Sequence, residues 1–145
     1  MFAGDSTENG LKTVYQLYVD GSVKKKVGYF GHVLFKDKIE IDYGYGMIGF
    51  GIKPATAEKY SICYGLDSFA RKFSEAGELK VFGDAKQVIE AAEKDSDVRP
   101  RIEMIRGWGI PVIFKWIPRD QNKLANDLAR KMIEYFRIAG TGSRK

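Results

Sequence analysis

Cysteine and histidine are nearly missing from this chain, with one of each, Cys63 and His32, in 145 residues. A single cysteine excludes an internal disulfide and fits a reducing compartment, so a cytoplasmic location is expected. One cysteine and one histidine are too few to build a structural zinc site. Long apolar runs are missing too. No stretch reaches the roughly 18 consecutive apolar residues that a membrane helix needs, so no membrane association is expected. Residues Met1 to Lys12 lack the basic-then-apolar order of a signal peptide. There are no internal repeats and no low-complexity linker.

What is present suits one soluble domain with one hydrophobic core. Hydrophobic residues make up 44% of the chain and charged residues 30%, an ordinary globular balance. The formal net charge of +5 and a pI near 9.2 favour polyanionic partners through counterion release. Residues 1–11 and 140–145 are expected to be flexible ends around a domain spanning 12–139.

Residues 13–19 read as a strand ending at Asp20, with Gly21 to Lys26 as a short polar turn. Residues 27–36 and 38–46 are β-branched and aromatic runs, so the first three strands form an antiparallel meander. Pro54 starts a helix to about Ser74, with Thr56 or a neighbour as its cap. Its apolar positions Tyr60, Cys63, Tyr64, Leu66, Ala70 and Phe73 recur at helical spacing. A short strand at 79–82, helices at 85–94 and 98–107, a strand at 111–117 and an amphipathic helix from Asn122 to about Ile138 complete the order. A meander followed by α/β crossovers implies a mixed sheet with helices on its faces.

Three acids stand out against this frame. Asp20 and Asp84 each follow a predicted strand, and parallel neighbouring strands bring such residues to one sheet edge, where α/β sheets hold ligands. Glu58, in the first turn of the 54–74 helix, leans over the same edge. Each acid has an ordinary reading when taken alone. Asp20 before Gly21 suits a turn, Glu58 suits a helix dipole, and Asp84 suits an N-cap. Together they make a hard-oxygen site that selects Mg²⁺ or Mn²⁺ over zinc. Crowded carboxylates repel unless a cation sits among them. In a two-metal nuclease one ion generates the nucleophile and the other stabilises the leaving oxygen. The run Lys24-Lys25-Lys26 reads either as a solvated turn or as a phosphate contact beside Asp20.

The segments Tyr18-Val19-Asp20-Gly21-Ser22, Gly28 to Leu34, Ala57-Glu58-Lys59-Tyr60 through Leu66, Gly83 to Ile89 and Trp116 to Ala129 resemble the type 1 ribonuclease H family. The resemblance runs from about residue 13 to 136. It implies an α/β fold, a ribonuclease H-like five-stranded mixed sheet of three antiparallel strands then two parallel ones, with helices on both faces. It also implies a monomer that hydrolyses the RNA strand of an RNA–DNA hybrid, with two Mg²⁺ (or Mn²⁺) ions held when substrate is bound. The family's catalytic and metal-binding acids carry over to Asp20, Glu58 and Asp84. Its fourth acid lands on Asn126, not Asp127.

With Leu124, Ala125, Leu128, Ala129, Met132, Ile133 and Phe136 as the buried face of the last helix, about 100° per residue puts Asn126 on its border and Asp127 toward solvent. An amide at 126 supplies no charge, so weaker metal binding is expected. Gly21, Ser22, Lys24, Lys86, Arg119, Asn122 and Lys123 are the candidate substrate contacts. The loop before the last helix lacks the histidine frequent in the family, and Arg119 is the candidate for a role near the scissile phosphate. His32 is read as packed or at an edge. The stretch from Tyr43 to Gly51 is read as a strand end and loop, Trp116 as core and Trp108 as open. Family asparagines that read the minor groove are replaced around Pro54-Ala55-Thr56, and a Gln or Ser near the third acid by Ala85 and Lys86. Two other readings stay open. One is a weakly active or inactive nucleic-acid-binding domain of the same fold, and the other is a related metal nuclease such as a junction resolvase.

Overall fold

The computed structural model describes residues 12–142, with side chains described as far as residue 137. The expected flexible ends therefore lie outside the described residues, apart from residues 140–142, whose backbone is helical. Alternating sequence produces three long strands, β1 (Val14–Lys24), β2 (Val27–Lys36) and β3 (Ile39–Phe50). They form an antiparallel meander. Helix α1 (Pro54–Lys72) leads to β4 (Glu78–Gly83), α2 (Lys86–Ala91), α3 (Arg99–Gly107) and β5 (Val112–Trp116). Helices α4 (Lys123–Ala129) and α5 (Lys131–Gly142) close the chain. The sheet order is β3-β2-β1-β4-β5, with β4 parallel to both β1 and β5. This is the mixed sheet expected from the element order.

Several boundaries differ from the sequence reading, each for a local reason. The chain does not turn at Gly21. Strand β1 continues to Lys24, pairing Gly21 with Phe30 and Ser22 with Tyr29. The reversal falls on Lys25 and Lys26, whose φ values of 52° and 68° are the left-handed pair that a tight hairpin requires. Asp37 and Lys38 turn the next hairpin in the same way, at 49° and 71°. Residues 43–50 are strand rather than loop, because β2 offers partners as far as Val27. Helix α1 is entered through Lys53 and Pro54 with no side-chain cap, so Thr56 does not cap it. Glu58 lies just past the first turn. The last helix breaks at Arg130 (φ −98°, ψ −4°).

Glycine is needed where backbones meet. A Cβ on Gly21 would sit 2.3 Å from the Ala57 carbonyl carbon, so α1 crosses β1 in backbone contact there. A Cβ on Gly31 would sit 2.3 Å from the Ala129 nitrogen, so α4 crosses β2 equally closely on the other face. That contact is made by Ala125 and Ala129, both buried. It leaves Leu124 (54% exposed) and Phe136 (44%) outside the interface, against the expected apolar face. The core lies on the α1 side, where Tyr15, Leu17 and Val19 of β1 meet Ile62, Leu66 and Phe69 of α1 and Ile102 and Ile105 of α3. Gly21→Ala is expected to destabilise the fold by about 3 kcal/mol, at the upper end for overpacking, since backbone cannot yield as a side chain does. Chemical denaturation measures this, and a change under about 0.5 kcal/mol would contradict the close crossing.

Candidate metal centre

Parallel pairing of β1 and β4 ends at Tyr18 and Phe82. Two residues further on, Asp20 is still in β1 but has lost its β4 neighbour, so it faces an open sheet edge. This corrects the expectation that Asp20 follows the end of its strand. Asp84 does leave the end of β4 directly. Glu58 reaches the same place from α1, and the Gly21–Ala57 contact sets how close it comes. One carboxylate oxygen from each of Asp20, Glu58 and Asp84 lies within 4.8 Å of the others. The Gly21 amide donates to Glu58 Oε1 at 3.1 Å.

The electrostatics are those of crowded buried acids. Asp20 is 1% exposed. Burial is the main cause that raises its carboxyl above the usual range, with the Asp84 charge adding to it. Burial also pushes Glu58 up to about 10, helped by its hydrogen bond to Asp20 and by the Asp20 charge. Crowding therefore favours the protonated form of Glu58 in the metal-free protein. The Arg119 charge works the other way and lowers Asp20. Among the described residues, Asp20 Oδ1 is buried without any hydrogen-bond donor. An orphaned carboxylate oxygen among mutually repelling acids fits a hard divalent cation.

Two asparagines, Asn122 at the N-terminal boundary of α4 and Asn126 within it, hold the acids. Asn126 Nδ2 donates to Asp20 Oδ2 at 2.8 Å. The residue aligned with a fourth acid thus faces the cluster, as a donor. Asp127 is exposed on the other flank, beside Glu40 and Lys131. Asn122 Nδ2 donates both to the Val19 carbonyl (2.8 Å) and to Asp84 Oδ2 (3.1 Å). At 1% exposure it braces two of the three acid-bearing segments from within. Asn122, one of the candidate substrate contacts, is thus buried against these two partners.

The remaining candidates frame the cluster. Ser22 is half-buried two residues past Asp20, and Lys24 is exposed at the hairpin end. Lys86 opens α2, Arg119 lies in a 3₁₀ turn before α4, and Lys123 opens α4, all three exposed. His32 is packed, 4% exposed, and burial lowers it to about 4, so it is neutral at physiological pH and away from the acids. Trp116, expected in the core, lies at the surface instead. It is 47% exposed, and its Nε1 donates to the Asp84 carbonyl at 3.1 Å. It lies at the end of edge strand β5, with Lys86 Nζ 5.9 Å from its ring centroid. The signal available in the sequence was its place directly before the Pro118 loop.

The fold is that of a type 1 ribonuclease H. RNase H1 from the halophilic archaeon Halobacterium salinarum superimposes with a TM-score of 0.70 at 21% identity, over 83% of this chain and 98% of that one. The N-terminal RNase H domain of Rv2228c from Mycobacterium tuberculosis gives 0.68 at 19% identity, over 88% and 99%. LC11-RNase H1, solved in complex with an RNA/DNA hybrid, gives 0.61 at 17% identity, over 82% and 99%. No protein-family model and no curated protein sequence matches the chain.

Proposed function

We propose that this protein is a divalent-metal-dependent endonuclease that cleaves the RNA strand of RNA–DNA hybrids. The observation that carries the reading is the convergence of Asp20, Glu58 and Asp84 at the open edge of a ribonuclease H sheet. The basic charge and the hybrid bound to a structural neighbour support a nucleic-acid substrate. Asp20, Glu58 and Asp84 would hold two Mg²⁺ or Mn²⁺ ions with substrate present, and Asn126 would be a weak fourth member. Such ions supply Lewis acidity, lowering the pKa of water and stabilising the leaving oxygen. Glu58 would give up its proton to let a cation in, Asn122 would keep Asp84 aimed, and Arg119, Lys86 and Lys123 would draw the phosphate backbone toward the edge. The single buried Cys63 suits a reducing, cytoplasmic setting, and no helix among the described residues is long and apolar enough to cross a membrane. The protein would act as a monomer. The Asn126–Asp20 hydrogen bond favours a slow enzyme over a vigorous one, because an amide stands where charge would strengthen metal binding.

The test is cleavage of labelled RNA–DNA hybrid, duplex DNA and duplex RNA, each with Mg²⁺, Mn²⁺ or EDTA. Cleavage of the hybrid with metal and none in EDTA is expected. Metal-dependent cleavage of duplex DNA alone would shift the assignment to a resolvase-like nuclease. No cleavage of any substrate, with hybrid still bound, would leave a binding domain.

A further inference from the structure

We propose that Trp116 and Lys86 form a nucleobase-stacking subsite beside the metal centre, an inference that rests on reading that centre as a nucleic-acid site. Trp116 pairs with Gly83 at the end of β5, one strand from Asp84. Its indole N–H is held by the Asp84 carbonyl at 3.1 Å, which fixes the ring against the residue that carries the third acid. The ring is otherwise uncovered. Strand β5 is the sheet edge, so no further strand shields it, and no aromatic ring among the described residues packs on it. Lys86 Nζ lies 5.9 Å from the ring centroid and, among the described residues, makes no ion pair.

A large apolar ring that is rigidly anchored, half exposed and flanked by a free cation suits a stacked base with its phosphate. Burying the ring would instead be the default for tryptophan, and here the indole N–H finds its partner with the ring at the surface. The second tryptophan does not compete for this role. Trp108 stacks on Phe73 at 5.1 Å, fifteen residues along α1 from Glu58, which is roughly 22 Å at 1.5 Å per residue.

The experiment uses the full chain carrying Trp108→Phe, so that Trp116 is the sole indole reporter. A fluorescein-labelled 12-base-pair RNA–DNA hybrid and a 12-nucleotide single-stranded DNA are titrated in EDTA, with binding followed by anisotropy and indole emission recorded in parallel. Indole emission is expected to change along the same saturation curve as anisotropy. Trp116→Ala is expected to raise KM for the hybrid roughly five- to a hundredfold, the range for loss of one base–aromatic stack, with kcat nearly unchanged. Trp116→Phe, which keeps a ring but loses the N–H, should recover most of that KM. Thermal unfolding of both variants checks that they are folded.

Unchanged indole emission at saturation of the hybrid overturns the subsite. So does a Trp116→Ala variant with lowered kcat and unaltered KM, which would make Trp116 only a positioning residue acting through Asp84. Absence of cleavage alongside a normal emission response would sink the nuclease reading and leave the stacking subsite standing. No emission response to either nucleic acid would sink the subsite whatever the cleavage assay shows.

Discussion

Asp20→Asn is expected to cut metal-dependent cleavage by roughly 10²- to 10³-fold, the scale for removing one preorganised electrostatic group from an active site. The same change should make the metal-free protein more stable. Asp20 is buried between Glu58 and Asp84, and burial together with the Asp84 charge disfavours its ionised form. An amide at this position keeps the shape and removes the repulsion. A gain of about 1 kcal/mol corresponds to roughly 2–4 °C in Tm for a chain of this size. Opposite signs for activity and stability are what distinguish a ligand from a structural acid. Cleavage within tenfold of wild type, or a lowered Tm, would remove Asp20 from the metal centre.

The pH dependence of the wild type follows from the same crowding. Glu58 has its folded pKa raised from 4.5 to about 10, and Asp20 moves in the same direction. Across that window the folded, metal-free state binds more protons than the unfolded chain. The stability these groups contribute is therefore complete below about pH 4.5 and is lost as pH rises toward 10. Cations compete with those protons, so the rise in Tm produced by Mn²⁺ should grow from pH 6 to pH 9. In Asp20→Asn this growth should be much reduced, and thermal unfolding at fixed metal concentration reads both.

Asn126→Asp should strengthen divalent-metal binding by about tenfold, comparable to the effect of gaining or losing a supporting group at a metal site. Cleavage at low metal concentration should rise with it. The gain has a counterpart in the absence of metal. The Asn126 amide donates to Asp20 at 2.8 Å, and an aspartate there replaces a donor with a further carboxylate. Metal-free stability at neutral pH should fall by about 1–3 kcal/mol, the cost of a buried acceptor losing its donor. Calorimetric titration with Mn²⁺ and denaturation in EDTA measure the two effects. Reduced cleavage at every metal concentration would mean that residue 126 is turned from the cluster during the reaction.

The acids were legible because each follows a strong local signal. Strand β4 is short and apolar, so its end before Asp84 was visible. Pro54 marked the start of α1 and so placed Glu58 near its beginning. The rotation of the last helix put residue 126, not 127, on the inward side, and the Asn126–Asp20 contact agrees. The errors share one physical origin. Gly21 reads as a turn because glycine often makes one, whereas here it is a strand residue that lets α1 lie against β1. Leu124 and Phe136 read as core because they are apolar, yet small Ala125 and Ala129 make the contact that Gly31 permits. Trp116 reads as core by hydrophobicity and lies exposed at the end of edge strand β5.

By itself the sequence determined the order of elements, the mixed sheet and the identity of the three acids, since strand alternation, helix periodicity and Pro54 act over a few residues each. Only the tertiary structure decided how the acids are held: Asp20 inside a continuing strand, Asn122 bracing Asp84 from within, Asn126 as a donor and Trp116 uncovered beside them. Those features depend on which backbones approach closely and which strand lies at the edge. They arise from contacts between residues as much as 106 positions apart, as with Asn126 and Asp20, and no local pattern encodes them.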